Sequence, residues 1–170
     1  MITAIIETCD DEVGLAHTLA ALVPAAAEGL VRDVVVIDYG SSDGTLKVAD
    51  VAGCTIMEAT AIDGDALRLA AAGARGDWLL LLSPAAVLQR GWQGPAMAFI
   101  DRALVAGRAR SSLAVVRRGA VVAGWRARLM SMLSLTEGRL VSKAAYLAAS
   151  PSSLPSSAAS LASGARRGAA

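Results

Sequence analysis

Along residues 1–100, short apolar runs alternate with segments of helical spacing. Ile2 to Ile6 is an apolar run bounded by polar residues, the pattern of a buried strand. Asp10, Asp11 and Glu12 follow, and acidic residues in a first turn suit the positive end of a helix dipole. Val13, Ala16, Leu19, Ala20, Leu22 and Val23 then recur near helical spacing, which predicts an amphipathic helix ending around Glu28-Gly29. Asp33 to Asp38 contains four consecutive β-branched residues, which disfavour helix and suit a strand buried on both faces. Gly40 to Gly44 is a turn, and Ser42 or Asp43 can cap a helix that begins near Thr45. Cys54 to Ala59 is a third strand, Gly64 to Ala74 a helix, Asp77 to Leu82 a fourth strand and Gly91 to Ala106 a further amphipathic helix. Strands alternating with helices imply a single α/β domain around a mostly parallel sheet.

The pattern weakens after Gly107. Ser112 to Val116 reads as an edge strand, Val121 to Leu135 as a helix bearing Arg126 and Arg128, Arg139 to Ser142 as a last strand and Lys143 to Ala149 as a short helix. From Ser150 the chain is low-complexity Ser, Ala, Gly and Pro, which cannot bury enough apolar surface to order itself. The expected organisation is therefore one domain over 1–149 and a disordered tail over 150–170, with 1–100 and 101–149 as its two unequal halves. There is no internal repeat.

Composition sharpens this in three ways. With 170 residues and 55% hydrophobic side chains, the chain is large enough for one core and too apolar for general disorder. Charge is asymmetric: residues 1–100 carry a net −8 and residues 101–143 a net +7, almost entirely as arginine. A basic second half suits a diphosphate, an anionic acceptor or an anionic membrane, the plain alternative being a solvated surface that balances the acidic half. It lacks interleaved aromatics, which argues against a nucleic-acid platform. Cys9 and Cys54 have no metal-ligand spacing and suit a reduced, cytoplasmic chain. Met1 leads straight into a strand without a basic leader, and no run reaches the ~18 apolar residues of a membrane span. The expected location is the cytoplasm, with peripheral contact at the inner face of a membrane as its extension.

The chemistry is concentrated in the turns after strands. In open α/β sheets ligands bind beyond the carboxyl ends of strands, where Thr8, Asp10, Asp38, Ser41 and Ser83 are expected. A carboxylate such as Asp38 can accept from a base N–H or a ribose hydroxyl; alternatively Asp38, Ser42 and Asp43 satisfy turn and cap donors. His17, the sole histidine, lies mid-helix and is read as structural. No Ser-His-Asp order, zinc spacing, dinucleotide-binding glycine motif or phosphate-binding Gly-Lys-Ser/Thr loop is present.

Ile37-Asp38-Tyr39-Gly40-Ser41-Ser42-Asp43-Gly44-Thr45 resembles the Val-Asp-Asp-Gly-Ser-Ser-Asp-Gly-Thr segment of inverting glycosyltransferases of family 2, which have a GT-A fold. Glu7-Thr8-Cys9-Asp10-Asp11 stands where that family has Pro-Thr-Tyr-Asn-Glu, and Ala74-Arg75-Gly76-Asp77 matches its Ala-Arg-Gly-Glu. The resemblance covers roughly residues 1–100 well and 101–150 faintly. It implies transfer of a sugar, with inversion, from a nucleoside diphosphate sugar to an acceptor of unknown kind, lipid-linked acceptors included. Thr8, Asp10, Asp38 and Ser41 would hold the nucleoside.

The chain departs from the family where Asp-x-Asp should hold Mn²⁺ or Mg²⁺ on the sugar diphosphate. It has Ser83-Pro84-Ala85-Ala86 instead, so no metal cofactor is expected. A divalent ion stabilises a leaving diphosphate by several kcal/mol, and losing ~4–6 kcal/mol slows a reaction roughly 10³- to 10⁴-fold. Arginines can stand in, since a guanidinium pairs well with phosphate oxygens. Arg68 and Arg75, with Ser83, are the expected diphosphate ligands, and Arg126, Arg128 and Arg139 are further candidates. Tyr39 takes the place of the second Asp of the Asp-Asp pair, and Cys9 that of an aromatic which stacks on the base. Thr136-Glu137-Gly138-Arg139 resembles the family's Asp-Gln-Gly-Leu region one residue out of register, which makes Glu137 the candidate catalytic base. The competing reading is a catalytically inactive nucleotide-binding or protein-interaction module that keeps the fold.

Overall fold

The computed structural model describes residues 1–60, 65–83, 86, 88–107, 113–117, 120–123 and 138–149. Their elements run β1 (Ile2–Thr8), α1 (Glu12–Ala27), β2 (Val31–Asp38), α2 (Thr45–Val51), β3 (Thr55–Glu58), α3 (Asp65–Gly73), β4 (Trp78–Leu82), α4 (Gln93–Val105), β5 (Leu113–Arg117), β6 (Ala120–Ala123), β7 (Gly138–Ser142) and α5 (Lys143–Ala148). One sheet carries all seven strands in the order β3-β2-β1-β4-β7-β5-β6. β3, β2, β1 and β4 are parallel neighbours, β7 runs antiparallel beside β4, and β5 pairs antiparallel with both β7 and β6.

Strand alternation sorts the core into two layers. Ile2, Ala4 and Ile6 of β1, Val36 of β2 and Trp78, Leu80 and Leu82 of β4 pack against α1, α2 and α4. Trp78 meets Phe99 of α4 edge to face, with ring centroids 5.7 Å apart. Ile5, Val35, Ile37, Leu79, Leu81 and Val141 point the other way, against Leu67, Ala70 and Ala71 of α3 and Tyr146 of α5. Each fully buried aliphatic side chain contributes roughly 1.5–3 kcal/mol. The alanines of α3 let that helix lie close to the sheet. Gly76 and Gly138 allow close approach to the strands themselves: a Cβ at Gly76 would come within 2.7 Å of the Thr3 amide nitrogen, and one at Gly138 within 2.6 Å of the Leu81 carbonyl.

Two expectations change in the second half. Ser112 to Val116 was expected at the sheet edge, but β5 is interior, flanked by β7 and β6. Residues 121–123 were expected to begin a helix, yet they belong to β6, with Val121 opposite Val116 and Val122 opposite Val115. β-Branched residues facing one another across a ladder favour the strand. The rest of that predicted helix, Arg126 and Arg128 included, and the 150–170 tail lie outside the described residues.

Candidate functional site

The sheet order places a switch point between β1 and β4. From β1 the chain crosses through α1 to β2 on one side; from β3 it crosses through α3 to β4 on the other. Connections that leave in opposite directions open a crevice at the carboxyl ends of those strands. Thr8 ends β1 and pairs with Asp38 at the end of β2, while Ser83 follows β4. Thr8, Asp10, Asp38, Ser41 and Ser83 are thus all at this end of the sheet.

Above β1 and β2, two loops are joined into one unit. Asp38 is 2% exposed. Its Oδ2 accepts the amides of Gly40 (3.1 Å) and Ser41 (3.0 Å), and its Oδ1 accepts the Ser41 hydroxyl. The turn is possible because Gly40 takes a φ of 88°, a conformation that side-chain-bearing residues rarely adopt. Asp10, itself left-handed at φ 49°, donates its amide to Ser41 Oγ (2.9 Å). Its Oδ1 accepts the amides of Ser42 (2.6 Å) and Asp43 (3.3 Å) and the Ser42 hydroxyl (3.2 Å). The N-cap position of α2 falls on Gly44 rather than on Ser42 or Asp43, and no side chain caps the helix there; Asp43, just before it, accepts the Thr45 amide at 2.9 Å and the Glu12 amide at 3.2 Å. Those bonds hold the Asp43 carboxyl below its usual range, the Thr45 side-chain bond being the largest cause. Asp11 caps α1 by accepting the Gly14 amide at 3.0 Å, and donates its own amide to Thr45 Oγ1 at 3.1 Å.

On the opposite face of the sheet lies a cluster of charged and phenolic groups. Glu7, one residue before the end of β1, is 3% exposed, and its Oε1 accepts the Tyr39 hydroxyl at 2.8 Å. Burial pushes the Glu7 carboxyl up, against the opposing pull of the Tyr39 bond and the Arg139 charge. Burial likewise lowers Arg139 on β7, while Tyr146 and Glu7 raise it. Tyr146 is pushed up to about 12 by burial and by Glu7, against Arg68 and Arg139. Arg68 of α3 donates to the carbonyls of Ala149 (3.0 Å) and Leu147 (3.1 Å), tying α3 to the end of α5.

The expected diphosphate ligands are therefore not gathered in one place. Arg68 lies on the α3 and α5 face with its donors on main-chain carbonyls. Arg75 precedes β4, at the amino end of the parallel strands, where its amide donates to Asp33 (3.4 Å). Ser83 stands at the crevice, and its carbonyl accepts the Ala86 amide at 3.0 Å. Glu137, Pro84 and Ala85 lie outside the described residues. His17 is on the exposed face of α1. Sequence reasoning missed the buried Glu7; its signal was a carboxylate within an otherwise apolar strand. Thr8 Oγ1 is fully buried and has no hydrogen-bond partner.

Among the described residues no group of three or more His, Cys, Asp or Glu side chains is placed to hold a metal ion. Oδ1 of Asp10 and both carboxylate oxygens of Asp38 and of Asp43 accept from loop and helix-start donors.

Most of this chain matches solved glycosyltransferases in three dimensions. Its fold is GT-A-like. Glucosyl-3-phosphoglycerate synthase from Mycobacterium tuberculosis, in complex with Mn²⁺, uridine diphosphate and glucosyl-3-phosphoglycerate, superposes with a TM-score of 0.55 at 18% identity, covering 84% of this chain and 57% of that one. The same enzyme with Mn²⁺, UDP-glucose and phosphoglyceric acid gives 0.56 at 19% over the same shares. With phosphoglyceric acid alone it gives 0.57 at 19%, again over 84% and 57%. The chain thus spans little more than half the length of the solved structures it matches. No family model matches the sequence, and no curated protein does.

Proposed function

We propose that this chain binds a nucleoside diphosphate sugar at the carboxyl ends of β1, β2 and β4, and transfers the sugar to an acceptor with inversion, as a glycosyltransferase of the family 2 type. The observation that carries the reading is the GT-A-like fold with the Asp38–Thr45 loop at the carboxyl ends of β1 and β2, beside its switch point. The solved neighbours support it, since their complexes hold uridine diphosphate, UDP-glucose and phosphoglyceric acid.

In this reading Thr8, Asp10, Asp38 and Ser41 receive the nucleoside. Asp38 organises the loop's amides, and Thr8 brings an unpartnered hydroxyl to the strand end. In an inverting step the acceptor oxygen bonds to the anomeric carbon as the bond to the diphosphate breaks, and a base takes the acceptor proton. Glu137 is the proposed base. The departing charge falls to guanidinium groups, with Arg68, Arg75 and Arg139 as the candidates among the described residues, and to Ser83; no step is routed through a metal. The acceptor, lipid-linked or otherwise, would meet the basic second half, and contact with an anionic membrane surface would run through the same residues. Among the described residues no helix is long and apolar enough to cross a membrane. We place the reaction in the cytoplasm.

One observation favours the non-catalytic alternative: both carboxylate oxygens of Asp38 and Oδ1 of Asp10 already accept from the loop after β2. Calorimetric titration with UDP and GDP, with and without Mn²⁺, separates a nucleotide site, which the transferase and an inactive nucleotide-binding module share, from a protein-interaction module. Asp38→Asn is the control, because it removes charge while keeping an acceptor for the turn. Micromolar, metal-independent binding lost in Asp38→Asn supports the transferase reading. Absence of binding to either nucleotide sinks it in favour of an interaction module.

A further inference from the structure

We propose that Glu7 is a positioning residue: by accepting the Tyr39 hydroxyl beneath the crevice, it sets the shape of the Gly40–Gly44 loop that receives the nucleotide. The proposal rests on the nucleotide-site reading for its ligand and on geometry for the loop.

Tyr39 is the first residue after β2, and it is tethered to the end of β1 at three points. Its amide donates to the Thr8 carbonyl at 3.0 Å. Its carbonyl accepts from Cys9 Sγ at 3.6 Å. Its hydroxyl donates to Glu7 Oε1 at 2.8 Å. The backbone reverses at once through Gly40, and the next two amides turn to Asp38. The direction in which the loop leaves the sheet therefore depends on how the Tyr39 ring is held.

Strand formation alone does not call for a carboxylate at Glu7. Ile5, two residues earlier on the same face, fills the equivalent space with an aliphatic side chain. A buried carboxylate carries a desolvation cost that only specific partners offset. The groups that face it are Tyr39 from the loop, Arg139 from β7 and Tyr146 from α5, with Arg68 of α3 acting on Tyr146. Glu7 thus ties the loop to β1, within the electrostatic reach of Arg139 on β7 and Tyr146 on α5. Such a link suits a residue that holds a binding loop against a rigid element.

Amide hydrogen exchange and UDP titration on the full chain, compared among Tyr39→Phe, Glu7→Leu and Glu7→Gln, test this. Tyr39→Phe and Glu7→Leu are expected to lower protection of the Gly40, Ser41, Ser42 and Asp43 amides about tenfold, the fold-change of one hydrogen bond. The β4 amides should not change, and UDP affinity should fall by about the same factor. Glu7→Gln, whose amide oxygen still accepts, should restore both to within about threefold. Tyr39→Phe keeps the ring in place, so it remains informative if Glu7→Leu does not fold. Unchanged loop protection in Tyr39→Phe overturns the proposal, as does a loosened loop with undiminished UDP affinity. If the unaltered chain binds no UDP, the nucleotide-site reading fails, and the exchange data still decide whether Glu7 shapes the loop.

Discussion

Asp10 Oδ1 accepts the Ser42 amide at 2.6 Å, across 32 residues of chain. Neither residue belongs to a strand or helix. The bond joins the loop after β1 to the loop after β2, so the β1 and β2 sides of the crevice rim are one hydrogen-bonded body.

Asp10→Ala removes the acceptor for Ser42 and Asp43 together. Urea denaturation should show a loss of about 1–2 kcal/mol, the net worth of these bonds at a solvent-facing site. Asp10→Gly loses the same acceptor but relieves the left-handed backbone, and should cost less. An alanine variant as stable as the parent would mean that the loops hold together without this link.

The pH dependence of stability carries the mark of Glu7. Its folded carboxyl is raised above the ordinary value of 4.5, so the native state binds the proton more tightly than the unfolded chain. The Glu7 contribution is then fully present below that value and is lost as pH rises through the folded pKa. Asp43, held low, has the opposite sign: its contribution is present above the ordinary value of 3.8 and is lost as pH falls below it. Denaturation midpoints measured from pH 3 to 8 in the parent and in Glu7→Gln check the first effect. The variant should lack the decline above about pH 4.5; identical profiles would remove Glu7 as its source.

Gly138→Ala forces a Cβ to within 2.6 Å of the Leu81 carbonyl and of Leu82 Cδ2, so β4 and β7 must part. A cost of roughly 1–3 kcal/mol is expected from such overpacking. Gly94→Ala is the matched control, since nothing lies within 4 Å of its Cβ position in α4. It should be neutral or slightly stabilising through the unfolded state. Thermal unfolding of the two variants compares them directly, and equal midpoints would refute the close approach at Gly138.

Local pattern carried most of the first half of this protein. Apolar runs and helical spacing placed β1 to β4 and α1 to α4 within a few residues, because burial on one or both faces leaves its period in the chain. The Asp38–Thr45 turn was equally legible, since its Gly and Asp residues answer to a local backbone demand. Tertiary structure alone decided the rest. β7 enters between β4 and β5, β5 becomes interior and residues 121–123 join a strand, because strand order depends on partners far away in sequence. The same holds at the crevice. Arg68 and Arg75 are alike as sequence, yet one lies between α3 and α5 and the other at the far end of the sheet. Glu7 looks like an interruption of an apolar strand until Tyr39, 32 residues away, is folded over it. Periodicity records which face a residue turns to the core; which groups meet there is set by the packing of the whole sheet.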